Sequence, residues 1–193
     1  MPLPTLRRHI HQHLSLTDDQ FDRLAPHFRL VSFPRNHVLF RPGDRPGPVY
    51  FIVSGLMKLV YVDGDGREHV VSFAAEDWWE GDFAAFFGGT RAGLSLRTLE
   101  PTTALALAPA GYEEICVAVP ALREFFFEKT KNGFLAAQRR IISLLTTNPR
   151  ERYEAFCAQY PQLLGRLSKT QIAAYLGVSR ETLSRLYSRG PGE

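Results

Sequence analysis

The chain has 193 residues, of which 45% are hydrophobic and 22% charged, so it can bury the core of one large or two small globular domains. No apolar run approaches the roughly 20 residues that a membrane-spanning helix needs, and residues 1–14 lack the apolar centre of a signal peptide. The two cysteines, Cys116 and Cys157, are too few for a disulfide scaffold or a four-thiolate iron–sulfur cluster. The composition is typical of a cytoplasmic protein and predicts no membrane partner.

The positive charge is concentrated at one end of the chain. From Thr146 onward there are seven lysines and arginines against four acidic residues, whereas residues 1–145 hold sixteen of each. A basic end on a neutral body is typical of a protein with a nucleic-acid-binding tail.

Residues 1–27 predict two short helices, the second capped by Thr17. The first contains His9, His11 and His13, and a helix would place His9 and His13 on one face, where they could bind a metal. No cysteine or nearby carboxylate completes a ligand set. We therefore predict polar, exposed helix surface and no metal site.

Residues 29–107 predict an antiparallel β domain, because short β-rich runs alternate there with turn signals. Asp63–Gly66 lies between two apolar runs and predicts a hairpin. Six or more short strands at this spacing indicate a sandwich or barrel. Trp78 and Trp79 are expected to cover its open end, with stacking on a ligand as the alternative.

This β domain lacks the residues of an enzyme. A cupin metal centre needs two or three histidines and a glutamate at fixed spacing, and only His69 with Glu68 stands near a suitable hairpin. The sequence has no nucleophile–base pair and no phosphate-binding Gly-Lys-Ser/Thr loop. His37 or His69 could ligate heme, but a lone strand histidine is usually structural. We therefore expect neither catalysis nor a bound cofactor.

Residues Val119–Leu145 predict the longest helix, with Pro120 suited to its first turn. Apolar side chains recur every seven residues along it, and small residues beside them would let another element approach closely. The stripe alone fits two interpretations, packing on the chain's own β domain or a parallel dimer seam. The residues of this predicted seam are Phe126, Phe127, Gly133, Phe134, Ala137 and Ile141.

Residues Lys169–Ser188 predict a helix-turn-helix. Ile172, Ala173 and Leu176 form the inner face of the first helix, and Gly177 supplies a left-handed turn. Ser179 is expected to cap the second helix. The residues left facing outward have the chemistry for reading base edges and contacting phosphates. The predicted DNA-binding residues are Lys169, Thr170, Ser179, Arg180, Glu181, Thr182, Ser184, Arg185 and Arg189.

From these motifs, the chain resembles the cyclic-AMP receptor protein/Fnr superfamily of bacterial transcription regulators over nearly its whole length. "YFIVSGLMKLVYVDGDGREHVVSF" resembles the family's β-roll, and "GVSRETLSRL" is similar to its recognition helix. The C-terminal quarter is also similar to a compact Bacteroidetes-type subgroup. The resemblance implies an α+β fold in three parts. These are an antiparallel, jelly-roll-like sensor β-roll in residues 1–118, a dimerisation helix in 119–145 and a helix-turn-helix domain in 146–193.

The family resemblance assigns base contacts to Arg180, Glu181 and Arg185, with a half-site near TGTGA. It also favours the dimer seam for the long helix and implies RNA polymerase as a further partner. One departure concerns the wing of the family's winged helix. Only "GRLS" precedes the motif and "GPGE" follows it, so we expect a domain that lacks a full wing.

The second departure concerns the ligand pocket. Cyclic-nucleotide-binding members place a glutamate on the ribose and an Arg-Ser pair on the cyclic phosphate. Here the glutamate becomes Asp82, and the pair becomes Arg91-Ala92 or Gly93-Leu94, depending on one gap. Losing a charge-assisted pair costs roughly 1.5–3 kcal/mol, so we do not expect cyclic-nucleotide control. The residues of this degenerate pocket are Gly81, Asp82, Phe83, Arg91, Ala92 and Ser95.

The sequence thus predicts a homodimeric regulator that binds a pseudo-palindromic DNA site under an unidentified signal, with a small-molecule effector as one source of that signal. The alternative is a ligand-binding or protein-interaction module whose helical tail no longer reads DNA. The intact Arg180, Glu181 and Arg185 face favours the first.

Overall fold

The computed structural model describes residues 2–188, which form eight α-helices and eight β-strands. The two predicted N-terminal helices are present, α1 over Pro2–His11 and α2 over Asp18–Leu24. The Thr17 side chain accepts from the Gln20 amide and the Gln20 side chain from the Thr17 amide, a reciprocal capping box that fixes the start of α2. None of the described helices is long and apolar enough to cross a membrane.

The strands form two antiparallel four-stranded sheets, in the order β1-β8-β3-β6 and β2-β7-β4-β5. This arrangement confirms the predicted β-roll. The strands are β1 Phe28–Phe33, β2 Val38–Phe40, β3 Val49–Ser54, β4 Met57–Val62, β5 Glu68–Ala74, β6 Trp79–Glu80, β7 Ser95–Thr98 and β8 Thr102–Leu107.

Two turns set the geometry of the roll. Gly55 joins β3 to β4 at φ +104°, and a Cβ there would stand 2.5 Å from the Thr102 hydroxyl oxygen, so only glycine fits. The predicted hairpin between β4 and β5 is also present. The Asp63 carboxylate accepts from the backbone amides of Asp65 and Arg67, which closes this turn without help from other elements.

The remaining helices include the predicted long one, which begins at Ala121 and ends at Thr146. Pro120 precedes this helix rather than lying in its first turn. Asn148 then caps the following helix, accepting from the amides of Arg150 and Glu151. These helices are α3 Phe83–Gly88, α4 Pro109–Ala118, α5 Ala121–Thr146, α6 Pro149–Gln159, α7 Lys169–Leu176 and α8 Arg180–Ser188.

Hydrophobic cores join the helices to the roll at both ends of the molecule. One cluster packs Leu6 of α1 with Phe51 of β3 and Phe126 of α5. Another packs Val70 of β5 with Ile172 of α7 and Leu183 of α8. The α+β fold class is confirmed. The domain limits proposed from sequence stay a prediction, because these cores run across them.

The arginine side chains of Arg166 and Arg140 add polar connections to the second cluster. Arg166, just before α7, binds the carboxylates of Glu76 (2.8 and 3.0 Å) and Glu100 (3.0 and 2.7 Å) and the carbonyl oxygen of Gly55 (3.0 Å). All three partners lie in turns of the β-roll. We call these contacts the Arg166 cluster. They hold the C-terminal helices against one end of the roll.

Arg140 of α5 makes the second set of polar connections. Its guanidinium donates to the carbonyl oxygens of Val70 and Val71 on β5 and of Tyr175 on α7, at 2.6 to 2.7 Å. It also lies 4.1 Å from the centre of the Tyr175 ring. One side chain therefore connects the long helix, the roll and the helix-turn-helix.

The buried carboxyl of Glu80 gives the fold a pH dependence. It accepts from the Ser72 hydroxyl (2.6 Å) and the Gly81 amide (3.0 Å), but burial outweighs these bonds and raises its pKa to about 7. Between the unfolded pKa and 7, the native state keeps a proton that the unfolded chain has released. The free energy of unfolding therefore falls as pH rises through that window.

We expect Glu80→Gln to remove this fall, because an amide does not ionise. Wild type should lose about 3 kcal/mol more than the variant between pH 4.5 and pH 8, at about 1.4 kcal/mol per pKa unit. Denaturant unfolding across that range measures the difference, with the exposed Glu113→Gln as control. Parallel pH curves for wild type and Glu80→Gln would contradict this assignment.

Candidate DNA-binding surface and the adjoining cleft

The predicted helix-turn-helix is present as α7 and α8, joined by a tight turn. Gly177 has φ +68°, and its amide donates to the Ala173 carbonyl, which ends α7. Ser168 and Gln171 form a capping box at the start of α7. The Ser179 hydroxyl accepts from the Thr182 amide at 3.1 Å, so Ser179 caps α8 as predicted.

Burial separates the two faces of α8. Leu183 is fully buried, whereas Arg180, Glu181, Ser184 and Arg185 are exposed. The outward-facing set on α8 is therefore the predicted one. Ser179, Lys169 and Thr170 are also exposed, and Thr182 is half-buried. The last predicted member, Arg189, lies outside the described residues.

The charged residues on this face combine hydrogen-bond donors with an acceptor. Glu181 accepts from its own backbone amide and from the Ser179 hydroxyl, and these bonds lower its pKa, so the carboxylate is an acceptor at neutral pH. Arg180 and Arg185 lie on either side of it in sequence and supply donors. Between residues 147 and 188 the structure has no strand. Within that range the reading face therefore lacks a wing.

The structure divides the predicted ligand pocket into two parts. Gly81, Asp82 and Phe83 line a cleft of about 590 Å³, bounded by the roll, α5 and the C-terminal helices. We call this the interdomain cleft. Arg91, Ala92 and Ser95 do not line it. Arg91 is exposed and donates to the Gly43 carbonyl at 2.6 Å, while Ala92 and Ser95 are buried. These three residues therefore do not share the cleft with Gly81, Asp82 and Phe83, and the predicted ligand pocket stays a prediction.

Asp82 has a structural task that the sequence did not indicate. One carboxylate oxygen accepts from the Ala85 amide (3.1 Å) and caps α3, and the other accepts from the amides of Gly93 (2.8 Å) and Leu94 (3.2 Å). Backbone donors thus surround a carboxylate that is only 8% exposed. An anionic ligand beside it would meet like charge and amides that are already bonded.

The long helix exposes most of its predicted seam. Phe127, Phe134 and Ile141 are 64%, 61% and 57% exposed, and Gly133 and Ala137 are exposed as well. Phe126 is a correction, because it is 6% exposed and packs against Trp79 and Tyr112 in the core. A side chain so buried in the protomer offers no surface to a second chain. The heptad pattern missed Leu145, which is 79% exposed and lies four residues after Ile141 on the same side of the helix.

The histidines hold no metal cluster within the described residues. His9 differs from the prediction of an exposed residue. It is buried against Phe51 and Phe125, accepts a hydrogen bond from the Trp79 indole, and has its pKa lowered to about 4 by burial. His13 lies after the end of α1 and contacts Lys129. The two tryptophans line the interdomain cleft, and both the predicted cover and the alternative of stacking on a ligand stay predictions.

The sequence reasoning missed the residues that join the domains, namely Arg140, Arg166, Glu76 and Glu100. The partners of Arg166 lie 66 to 111 positions away in the chain. No local motif carries such a signal. From sequence alone, an arginine in or near a predicted helix cannot be distinguished from an ordinary surface residue.

Comparison with known proteins agrees with this architecture. The model of the cyclic nucleotide-binding domain family matches residues 30–118. The CRP-like protein Clp of Xanthomonas oryzae is 25% identical over 196 aligned residues, which cover 91% of this chain and 83% of that protein. Clp of Xanthomonas campestris matches with the same identity and coverage.

Solved structures share the fold. The c-di-GMP-responsive global regulator CLP of Xanthomonas campestris superimposes with a TM-score of 0.73 at 18% identity, covering 90% of this chain and 91% of that one. FixK2 of Bradyrhizobium japonicum also gives a TM-score of 0.73, at 17% identity, over 84% of this chain and 83% of that one. The narrower likeness to a Bacteroidetes-type subgroup stays a prediction. Residues 30–118 thus match the cyclic nucleotide-binding domain family, and the chain is similar over most of its length to the CRP-like protein Clp and shares its fold.

Proposed function

We propose that the protein is a homodimeric transcription regulator that reads a pseudo-palindromic DNA site with one α8 helix per protomer. The observation that carries this proposal is the exposed Arg180, Glu181 and Arg185 face. It lies on a capped helix whose opposite side is buried, with Leu183 packed against α7. A helix with a buried apolar side and a bonding-competent outer side has the form that enters a major groove.

Each outward residue has a matching base edge. An arginine donates two hydrogen bonds to guanine O6 and N7, and a glutamate accepts from the cytosine amino group. Lys169, Thr170, Ser179 and Thr182 stand at the starts of α7 and α8, where side chains and free backbone amides bind phosphates. The base-edge residues set specificity and the others set register on the duplex.

Dimerisation follows from the apolar stripe on α5. Phe127, Phe134 and Ile141 recur at seven-residue spacing and are each more than half exposed, which is costly for a lone protomer in water. A parallel pairing of two α5 helices covers them. Two-fold symmetry then places the two α8 helices about 34 Å apart, one turn of DNA.

Control of DNA binding is assigned to the interdomain cleft. Its walls come from the roll, from α5 and from α6–α7, so a bound molecule touches the sensor, the dimer helix and the DNA-binding part at once. The filled surroundings of Asp82 and the position of Arg91 argue against a cyclic nucleotide as that molecule. RNA polymerase is the further partner of such a regulator.

The first prediction concerns Arg180→Ala. We expect it to weaken operator binding by roughly 1–3 kcal/mol and to relax base preference at one position of each half-site. Selection from a randomised DNA library, read by sequencing, measures both effects. Arg23→Ala on α2 removes the same charge far from α8 and should leave the selected motif unchanged. A variant that kept its full preference at every position would rule out base reading by Arg180.

The second prediction concerns Phe134→Asp, which places a charge in the α5 stripe. We expect the dimer to dissociate, because burying an unpaired carboxylate costs several kcal/mol. Analytical ultracentrifugation gives the mass. Val117→Asp alters a residue of similar exposure on α4 and should leave the dimer intact. Dimers of unchanged stability in Phe134→Asp would place the interface elsewhere.

The third prediction concerns the Arg166 cluster. Removing negative charge normally strengthens DNA binding. If Glu76 and Glu100 orient the helix-turn-helix, the double variant Glu76→Gln/Glu100→Gln should instead bind a two-half-site operator about tenfold more weakly, or about 1.4 kcal/mol.

Fluorescence anisotropy with a labelled operator measures this change. Glu113→Gln/Glu114→Gln on α4 removes the same charge away from the domain junction and serves as control. The proposed orienting role requires the two double variants to differ in the sign of the effect. If both double variants bound the operator more tightly, the loss of negative charge alone would explain the effect, and the orienting role would be wrong.

A further inference from the structure

Three arginines line a small pocket that adjoins the interdomain cleft. This arginine pocket, of about 190 Å³, lies between α5 and α6–α7 and includes Arg139, Arg140 and Arg152. The described residues that line it include no aspartate or glutamate. Three arginines thus line one concave space without an acidic residue among its lining.

The hydrogen bonds of these arginines leave donors unused. Arg140 donates from both terminal nitrogens to backbone carbonyls, while its buried Nε has no partner among residues 2–188. Arg152 donates to the carbonyl oxygens of Leu176 and Thr147. Arg139 is exposed and makes no hydrogen bond or ion pair within the described part of the chain. Carbonyl oxygens satisfy some donors but neutralise none of the charges.

Such an arrangement favours an anion. Burial lowers the pKa of Arg140, a sign that its charge lacks full compensation, although a guanidinium stays protonated in a protein. Charge-assisted bonds from arginine to carboxylate or phosphate are about twice as strong as neutral ones. One anion would accept from the exposed Arg139 guanidinium and reduce the repulsion among three like charges.

The arginine pocket is continuous with the interdomain cleft. Both are lined by Arg140, Leu144, Tyr160 and Tyr175. Beyond these shared residues the larger cleft is mainly apolar, with walls from Phe73, Trp78, Trp79 and Phe83. The carboxyl groups of Glu80 and Asp82 lie on the β-roll wall. The space therefore has a cationic part and a mainly apolar remainder.

We propose that this space binds an apolar small molecule with a single anionic group, a carboxylate or a phosphate monoester. The anion binds Arg139, Arg140 and Arg152, and the apolar body lies between the tryptophans and α5. The reverse orientation would place the anion beside Glu80 and Asp82. A cleft of about 590 Å³ is within the usual range for small-molecule sites.

The role of this molecule as an effector rests on the proposed function, but its binding does not. A ligand in this position contacts β5, α5 and α7, the same elements that Arg140 connects. It therefore biases how the helix-turn-helix sits on the roll. Its free energy of binding can shift that arrangement only by the difference in affinity between states.

The test is a titration of the full chain with decanoate below its micelle concentration. Both tryptophans of the chain, Trp78 and Trp79, line the cleft, so their fluorescence reports occupancy. We expect saturable binding of decanoate or decyl phosphate, and about tenfold weaker binding of 1-decanol, which lacks the charge. Inorganic phosphate alone should bind more weakly than either amphiphile. The two acids distinguish a carboxylate site from a phosphate site.

Arg139→Gln is the matched variant, because Arg139 is exposed and its loss leaves the described contacts of the fold intact. We expect it to weaken decanoate about tenfold. Arg150→Gln on α6, whose arginine pairs with Glu154 outside the pocket, should have no effect. Equal affinity for decanoate and 1-decanol, or an unaltered affinity in Arg139→Gln, would overturn the anion site. Isothermal calorimetry detects binding that leaves the fluorescence unchanged, and no heat with either acid would also overturn it.

Operator binding in the same samples separates the two proposals. If the protein selects a DNA motif but binds neither decanoate nor decyl phosphate, the ligand assignment is wrong and the proposed function stands. Binding of either acid by a protein that selects no DNA motif supports the pocket and contradicts the proposed function.

Discussion

The packing of α7 on strand β5 is the interaction on which the arrangement of the molecule depends. Helix α7 packs against both α8 and the roll. Its buried residues, Ile172, Ala173 and Leu176, belong to the same core as residues of both. The Arg166 cluster surrounds the edge of this contact with five charge-assisted bonds. Apolar burial supplies most of the free energy, while the planar guanidinium fixes the angle. The direction in which α8 faces is a consequence of both.

Sequence patterns predicted the elements of this fold better than the contacts between them. The Asp63 hairpin, the Thr17 and Ser179 caps and the Gly177 turn are local, since each is set by residues within a few positions. The exposed face of α8 followed from the same short-range spacing. These features make the sequence specific for a helix-turn-helix on a β-roll.

The parts that could not be predicted depend on long-range packing. Phe126 and Phe127 are neighbours with identical side chains, yet one is in the core and the other in solvent, because α1, β6 and α4 cover only one side of α5. Asp82 matched a family position and turned out to bind backbone amides from α3 and from the segment before β7. His9 became buried because α1 packs against the roll. Sequence periodicity identifies which residues share one face of a helix, but not which element packs against that face.

The Arg166 cluster also bears on the order in which the chain folds. Its carboxylates and carbonyl come from turns at positions 55, 76 and 100, all of which are made before Arg166 during synthesis. The roll can therefore form as a unit first and present a finished docking surface with Leu56, Val60 and Val70 uncovered. Contacts spanning up to 111 residues close slowly because of loop-closure entropy. During that interval the bare sheet is exposed to aggregation, and docking of α7 ends it.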